Sequence, residues 1–199
     1  MDDATARELV LDAADRLYYR RGITAVGMDE LRTAAGVSLK KTYQLFPSKD
    51  VIVEQVLRRR NNAWTRGILA RAELEPTPRG KLLAIYDFLS DWFVENDFRG
   101  CAFINSFGEL GATAPTVAQA ARDHKSSFQA YVAALAQEAG APSSLAPQLV
   151  LLAEGAQTTA AILGTPDAAA HARAAASTLI DASLSARVVS PEAIPAEDG

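Results

Sequence analysis

The chain has 199 residues, enough to bury one or two cores, with 20 Lys+Arg against 24 Asp+Glu, a net charge of −4 and a single cysteine. Hydrophobic residues at 49% and charged residues at 22% exclude global disorder; one cysteine excludes an intrachain disulfide, and the absence of metal-ligand spacing predicts no metal and no other cofactor. The start Met1-Asp2-Asp3 lacks the layout of a secretory signal and no apolar run approaches the ~18 residues of a membrane helix, so the expectation is a soluble cytoplasmic protein with no membrane partner.

The elements read as an all-α succession. Leu9, Val10, Ala13, Ala14 and Leu17 recur at helical spacing and predict a first helix that buries them, ended by Gly22 as a left-handed cap behind Arg20 and Arg21. A short second helix is predicted from about Met28 to Ala35, stopped at Gly36. A third starts at Ser38, a good N-cap, and ends before Pro47. Pro47-Ser48 restarts a long helix, Lys49 to about Ala72, with Ile52, Val56 and Trp64 inward. Glu75-Pro76-Thr77-Pro78 is the clear loop, and by composition the domain change is expected near it. Beyond it come Gly80–Glu95 (Leu82, Leu83, Tyr86, Leu89 and Phe93 inward), Ala102–Leu110, Pro115–Ala139, Pro142–Leu163 and Pro166–Ala186, three of them with proline in the first turn, where its missing N–H costs nothing. The tail, residues 190–199, reads as disordered.

Net charge divides unevenly. Residues 1–62 carry 11 Lys+Arg and 9 Asp+Glu, whereas the remainder carries 9 against 15. The acidic whole therefore hides a basic N-terminal third, the asymmetry of an acid-binding head on a separate body. Within that third, two short helices flank the Gly-containing turn Ala35-Gly36-Val37-Ser38, a helix-turn-helix whose second helix enters the major groove of DNA. Ala34 and Ala35 are small where the helices cross, Gly36 permits the sharp turn, and Val37 plugs the angle. Thr42, Leu45 or Phe46 face inward, which leaves Leu39, Lys40, Lys41, Tyr43 and Gln44 toward DNA.

On these residues the sequence resembles the TetR family of transcriptional regulators, over roughly Arg7 to Val56, with Gly22, Ala35-Gly36-Val37-Ser38, Tyr43, Phe46, Ser48-Lys49 and Asp50 as pattern elements. The resemblance implies phosphate contacts at Tyr43 and at Lys49, the latter beside the free N–H groups opening its helix. The set expected at DNA is Ser38, Leu39, Lys40, Lys41, Tyr43, Gln44 and Lys49. Two departures stand out: Gly27 replaces the usual hydroxyl residue before the second helix, and Lys40 replaces a small one. Lys40 could reach a guanine edge, Lys41 a phosphate, Leu39 a thymine methyl and Gln44 an adenine. The run Arg58-Arg59-Arg60 reads either as further DNA contact or as a surface or interdomain face.

The resemblance also implies a domain division: residues 1–48 as the helix-turn-helix head, and residues 49–189 as an effector-binding and dimerisation body with the fourth helix as connector. The last two helices, rich in small residues, would form the homodimer. A hydrophobic effector would be lined by Tyr86, Trp92, Phe93, Phe103, Phe107, Phe128 and Tyr131, with Asn105, His124 and Gln157 as polar members; each of these also suits ordinary core packing. Phe98–Asn105 looks like a stretch of one family subset at the start of the sixth helix, the expected lever between body and head, where Cys101 is either an inert core residue or a thiol sensor. The expected function is a repressor released from its operator by a hydrophobic small molecule. The rival readings are a non-sensing structural DNA-binding protein and an all-α enzyme, for which no catalytic constellation can be assembled.

Overall fold

Nine α-helices and no strands make up the residues described by the computed structural model, 1–188; the tail expected to be disordered lies outside them. They are α1 (Asp3–Arg21), α2 (Met28–Ala35), α3 (Leu39–Leu45), α4 (Lys49–Ala72), α5 (Pro78–Phe93), α6 (Ala102–Leu110), α7 (Pro115–Glu138), α8 (Leu145–Leu163) and α9 (Asp167–Val188). No described helix is long and apolar enough to cross a membrane.

Side-chain caps set many of the starts. Asp2 accepts the backbone N–H of Thr5 at 2.8 Å, Ser38 that of Lys41 at 3.3 Å, and Thr77 that of Gly80 at 3.0 Å, each cap contributing about 0.5–2 kcal/mol. Pro78 and Pro115 occupy the first turns of α5 and α7. Pro142 does not do so for α8: its carbonyl accepts the N–H of Leu145 in a preceding turn, and the helix begins at Leu145.

The buried face of α1 is rotated by one position from the expected stripe. Ala6, Val10, Ala13, Ala14 and Tyr18 are inside, while Leu9 is exposed and Leu17 half-buried. Gly22 ends α1 at φ 87°, ψ 154°, not in the left-handed helical region. Gly36 does adopt that region (φ 65°, ψ 26°), and its N–H returns to Arg32 and Thr33. Ala35 is buried at the α2–α3 crossing, but Ala34 faces solvent, so a single small residue serves the close approach.

Two apolar cores result. One gathers Val10, Leu31, Phe46, Ile52 and Val56 from α1–α4 together with Cys101 and Phe103 from the start of α6 and Val117 and Ala121 from α7. The other holds Leu82, Tyr86, Leu89, Phe128, Leu149 and Ile180 from α5 and α7–α9. The first core is therefore completed by α6 and the start of α7.

Candidate nucleic-acid interface and ligand cleft

The α3 surface sorts the expected DNA-facing residues by what else holds them. Thr42, Leu45 and Phe46 are buried, and Arg7 donates to the Leu45 carbonyl at 3.1 Å while lying 4.7 Å over the Phe46 ring. That inward anchoring leaves Lys40, Tyr43 and Gln44 exposed on one outward face, with Tyr43 46% accessible despite its apolar ring. Leu39 is half-exposed. Lys41 is ion-paired to Asp3 at the start of α1. Ser38 caps α3 through its oxygen and keeps its hydroxyl proton to donate.

Lys49 is turned inward. Its Nζ donates to the carbonyls of Ile23 and Val26 at 2.5 and 2.6 Å, and burial lowers its pKa. The same α1–α2 loop is held on its amide side by Glu109 of α6, whose carboxylate accepts from Ile23 N (3.1 Å), Thr24 N (3.0 Å) and Thr24 Oγ1 (2.9 Å). Gly22 makes room for that carboxylate: a Cβ there would lie 2.9 Å from both Glu109 oxygens. Glu109 is not among the site residues expected from the sequence. Nothing local signals a partner 86 positions away.

Arg59 and Arg60 are committed to α1: Arg59 binds Glu8 and Asp12, and Arg60 binds Asp15 while stacking 3.7 Å over the Tyr19 ring. Their role is to tie α4 to α1.

Between α1, α4, α5, α6 and α7 lies an open cleft of about 660 Å³, walled by Trp64, Phe88, Trp92, Phe103 and His124, with Glu8, Asp12 and Asp15 of α1 and Glu95 and Asp97 of the α5–α6 connection among the polar residues of its lining. A second recess of about 170 Å³, lined by Ile68, Leu69, Phe128 and Tyr131, sits across Trp64 and His124, which line both. Trp64 packs edge-on to Phe88 (5.1 Å), Trp92 (5.3 Å) and Phe128 (5.8 Å). His124 stacks on Phe103 at 3.9 Å and 7°, and its Nδ1 meets Asn61 Oδ1 at 2.7 Å. Burial, then the neighbouring Lys125 charge, pulls its pKa down to about 3, so the ring is neutral.

Of the expected effector residues, the structure brings Trp92, Phe103, His124, Phe128 and Tyr131 to these two recesses. It places Tyr86, Phe93 and Gln157 in the body core, Tyr86 donating to the Leu149 carbonyl at 2.8 Å. Asn105 ties its amide to the Arg99 carbonyl and lines a small void beneath α1. Phe107 is 49% exposed on the outer side of α6 and borders neither recess. Phe88 was missed. Its signal is Gly67 in the middle of α4, where helix propensity disfavours glycine and any Cβ would lie 2.4 Å from the Phe88 ring.

Comparison with known proteins gives this arrangement a context. Residues 10–56 match the family model of bacterial regulatory proteins, tetR family, and residues 78–176 that of the tetracyclin repressor-like C-terminal domain. A crystal structure of a Streptomyces avermitilis protein assigned as a tetR transcriptional regulator is 32% identical, with TM-score 0.79, over 89% of this chain and 97% of that one. A TetR-family regulator from Streptomyces coelicolor superposes with TM-score 0.85 at 24% identity over 92% and 96% of the two chains, a likeness of fold. The HTH-type transcriptional activator FasR of Mycolicibacterium smegmatis is 34% identical over 112 residues, 56% of this chain. The match spans half of FasR's own length.

Proposed function

This chain belongs to the TetR family of bacterial regulatory proteins, a family of DNA-binding transcriptional regulators and not of enzymes, and on that premise we propose a homodimeric repressor released from its operator by an apolar small molecule in the α4–α7 cleft. The observation that carries the reading is the double engagement of α6. Near its start, Phe103 forms part of the cleft wall; near its end, Glu109 holds the loop that leads into α2. They are six positions apart along the helix, a rigid rise of about 9 Å. A ligand that displaces Phe103 moves Glu109, and with it the helix-turn-helix.

Lys40, Tyr43 and Gln44 form the exposed face that would enter the major groove. One short helix reads too few bases, so two protomers present two such faces about one helical turn apart. The dimer surface we assign is the uncharged outer stripe Leu151, Gly155, Thr158, Thr159 and Ile162 of α8 with Ala174, Ala175, Thr178 and Ala182 of α9, all exposed in the single chain. Such small residues let two copies of the helix pair approach closely in an isologous contact.

Ligand shifts the equilibrium only by its differential affinity for the two states, a coupling of about 1–3 kcal/mol. Gel-shift titration on the DNA upstream of the protein's own gene, with and without an apolar ligand, tests the reading. Binding should vanish in Lys40→Ala combined with Tyr43→Phe and should weaken on adding ligand. Retained binding by the double variant sinks the assignment of α3. FasR, as an activator, supplies the opposite sign of output, and a promoter–reporter assay separates the two.

A further inference from the structure

We infer that the α4–α7 cleft selects lipophilic cations: molecules with a bulky aromatic or apolar body carrying a single positive charge. This rests on the reading of the cleft as the effector site and names the chemistry it would take. The wall supplies the apolar half. Trp64, Phe88 and Trp92 lie within 6.4 Å of one another, ring centroid to centroid, and aromatic faces carry the negative lobe of the ring quadrupole.

The charges around the mouth supply the sign. Five carboxylates and three guanidiniums line the cleft. Arg59 is spent on Glu8 and Asp12, and Arg60 on Asp15. The cationic groups that would hold an anion are thereby occupied, except Arg66. Glu95 and Asp97, by contrast, have no ion-pair partner among the described residues. Partial burial, then the charge of Asp97, raises the Glu95 carboxyl above its usual range, a repulsion that a bound cation relieves. His124 stays neutral and so does not repel a cation. Lys125, the nearest ammonium in sequence, is bound to Glu154 and does not line the cleft. The lining charges left without an ion pair are thus two carboxylates and one guanidinium, a balance that attracts a cation and repels an anion in a cleft whose wall is aromatic.

The probes are tetraphenylphosphonium and tetraphenylborate, near-identical in shape and opposite in charge, with neutral triphenylphosphine oxide as the third. Each is titrated calorimetrically into the full chain and into the variant Glu95→Gln/Asp97→Asn, whose sites are exposed and whose fold is checked by circular dichroism. The phosphonium should bind at least about tenfold more tightly than the borate, and neutralising the two carboxylates should remove most of that preference while leaving the neutral probe unchanged. Borate binding as tight as phosphonium, or an undiminished preference in the variant, overturns the inference. If borate or the neutral probe binds equally well and still releases DNA, the effector site stands and only its charge selectivity falls. If none of the three binds, both readings fall.

Discussion

Glu109 and Lys49 hold one residue between them: the Ile23 amide donates to Glu109 at 3.1 Å, and the Ile23 carbonyl accepts from Lys49 at 2.5 Å. A carboxylate from α6 and an ammonium from the first residue of α4 thus fix both backbone polar groups of one residue, in the two peptide units that flank it, just before the helix-turn-helix. Removing the carboxylate leaves two loop amides to find water. Glu109→Ala should cost about 1–3 kcal/mol of unfolding free energy, because bonds to a charged acceptor are lost. It should also uncouple ligand from DNA: operator affinity in the variant should respond less to effector than in the parent. Urea titration and ligand-dependent gel shifts read the two effects separately. Gly22→Ala should cost about 1–3 kcal/mol, since φ 87° with ψ 154° is a region nearly confined to glycine and the new methyl would press on Glu109.

The ion pair from Lys41 to Asp3 predicts opposite effects of two charge changes on DNA binding. Asp3→Asn frees the ammonium and should tighten operator binding modestly. Lys40→Ala removes an exposed charge and should weaken it. If each protomer neutralises on the order of four phosphates, the slope of log K against log salt is about −7 for the dimer, and Lys40→Ala should lower its magnitude by about two if Lys40 meets phosphate. An unchanged slope with altered sequence preference would mean that Lys40 reads a base.

Gly27 caps α2 with no side chain, at an ordinary φ of −83°, and a Cβ there would meet nothing within 4 Å. Gly27→Ser should therefore be accommodated without strain and add a few tenths of a kcal/mol through a new N-cap. At the exposed entrance to α2 its hydroxyl should also donate to DNA phosphate. Thermal melts and filter binding on the same preparation would show both gains. A loss of affinity would place the loop away from the backbone.

His124 gives an acid-side dependence. Its folded pKa of about 3 lies below the ordinary 6.5, so below that value the unfolded chain takes up a proton that the folded chain refuses. Stability contributed by the neutral ring is complete above 6.5 and is lost as pH falls toward about 3. The slope is at most about 1.4 kcal/mol per pH unit, so the loss between about pH 7 and about pH 5 should be roughly 1–2 kcal/mol. His124→Phe, which keeps the stack on Phe103, should flatten this part of the profile in urea titrations.

The sequence made the head legible because its determinants are local. Ser38, Gly36 and Pro47 bound α3 within a dozen residues, and the inward set of Thr42, Leu45 and Phe46 follows from one turn of helix. The body helices α5 and α7 were equally readable, because Leu82, Tyr86 and Leu89, or Val117, Ala121 and Phe128, keep helical spacing. What stayed hidden depends on pairing across the chain. The place of Lys49 in the family pattern is local and legible, whereas the carbonyls it holds belong to a loop more than 20 positions earlier and are not. Phe107 and Phe103 are indistinguishable as letters, and only the side on which α7 packs decides that one is buried and the other exposed. Pro142 resembled a helix start because proline favours that position; the turn ahead of Leu145 uses it equally well.

Because Cys101, Phe103, Val117 and Ala121 fill the first core beside Val10, Phe46 and Ile52, a cut after residue 48 or residue 72 would not release a self-sufficient reading head. The excised piece would carry an apolar wound where α6 and α7 had been seated, and would hold its recognition helix only loosely. The covalent order of the chain suggests a detachable module; the packing makes α6 and the start of α7 a structural part of the helix-turn-helix unit, so that the two should melt together.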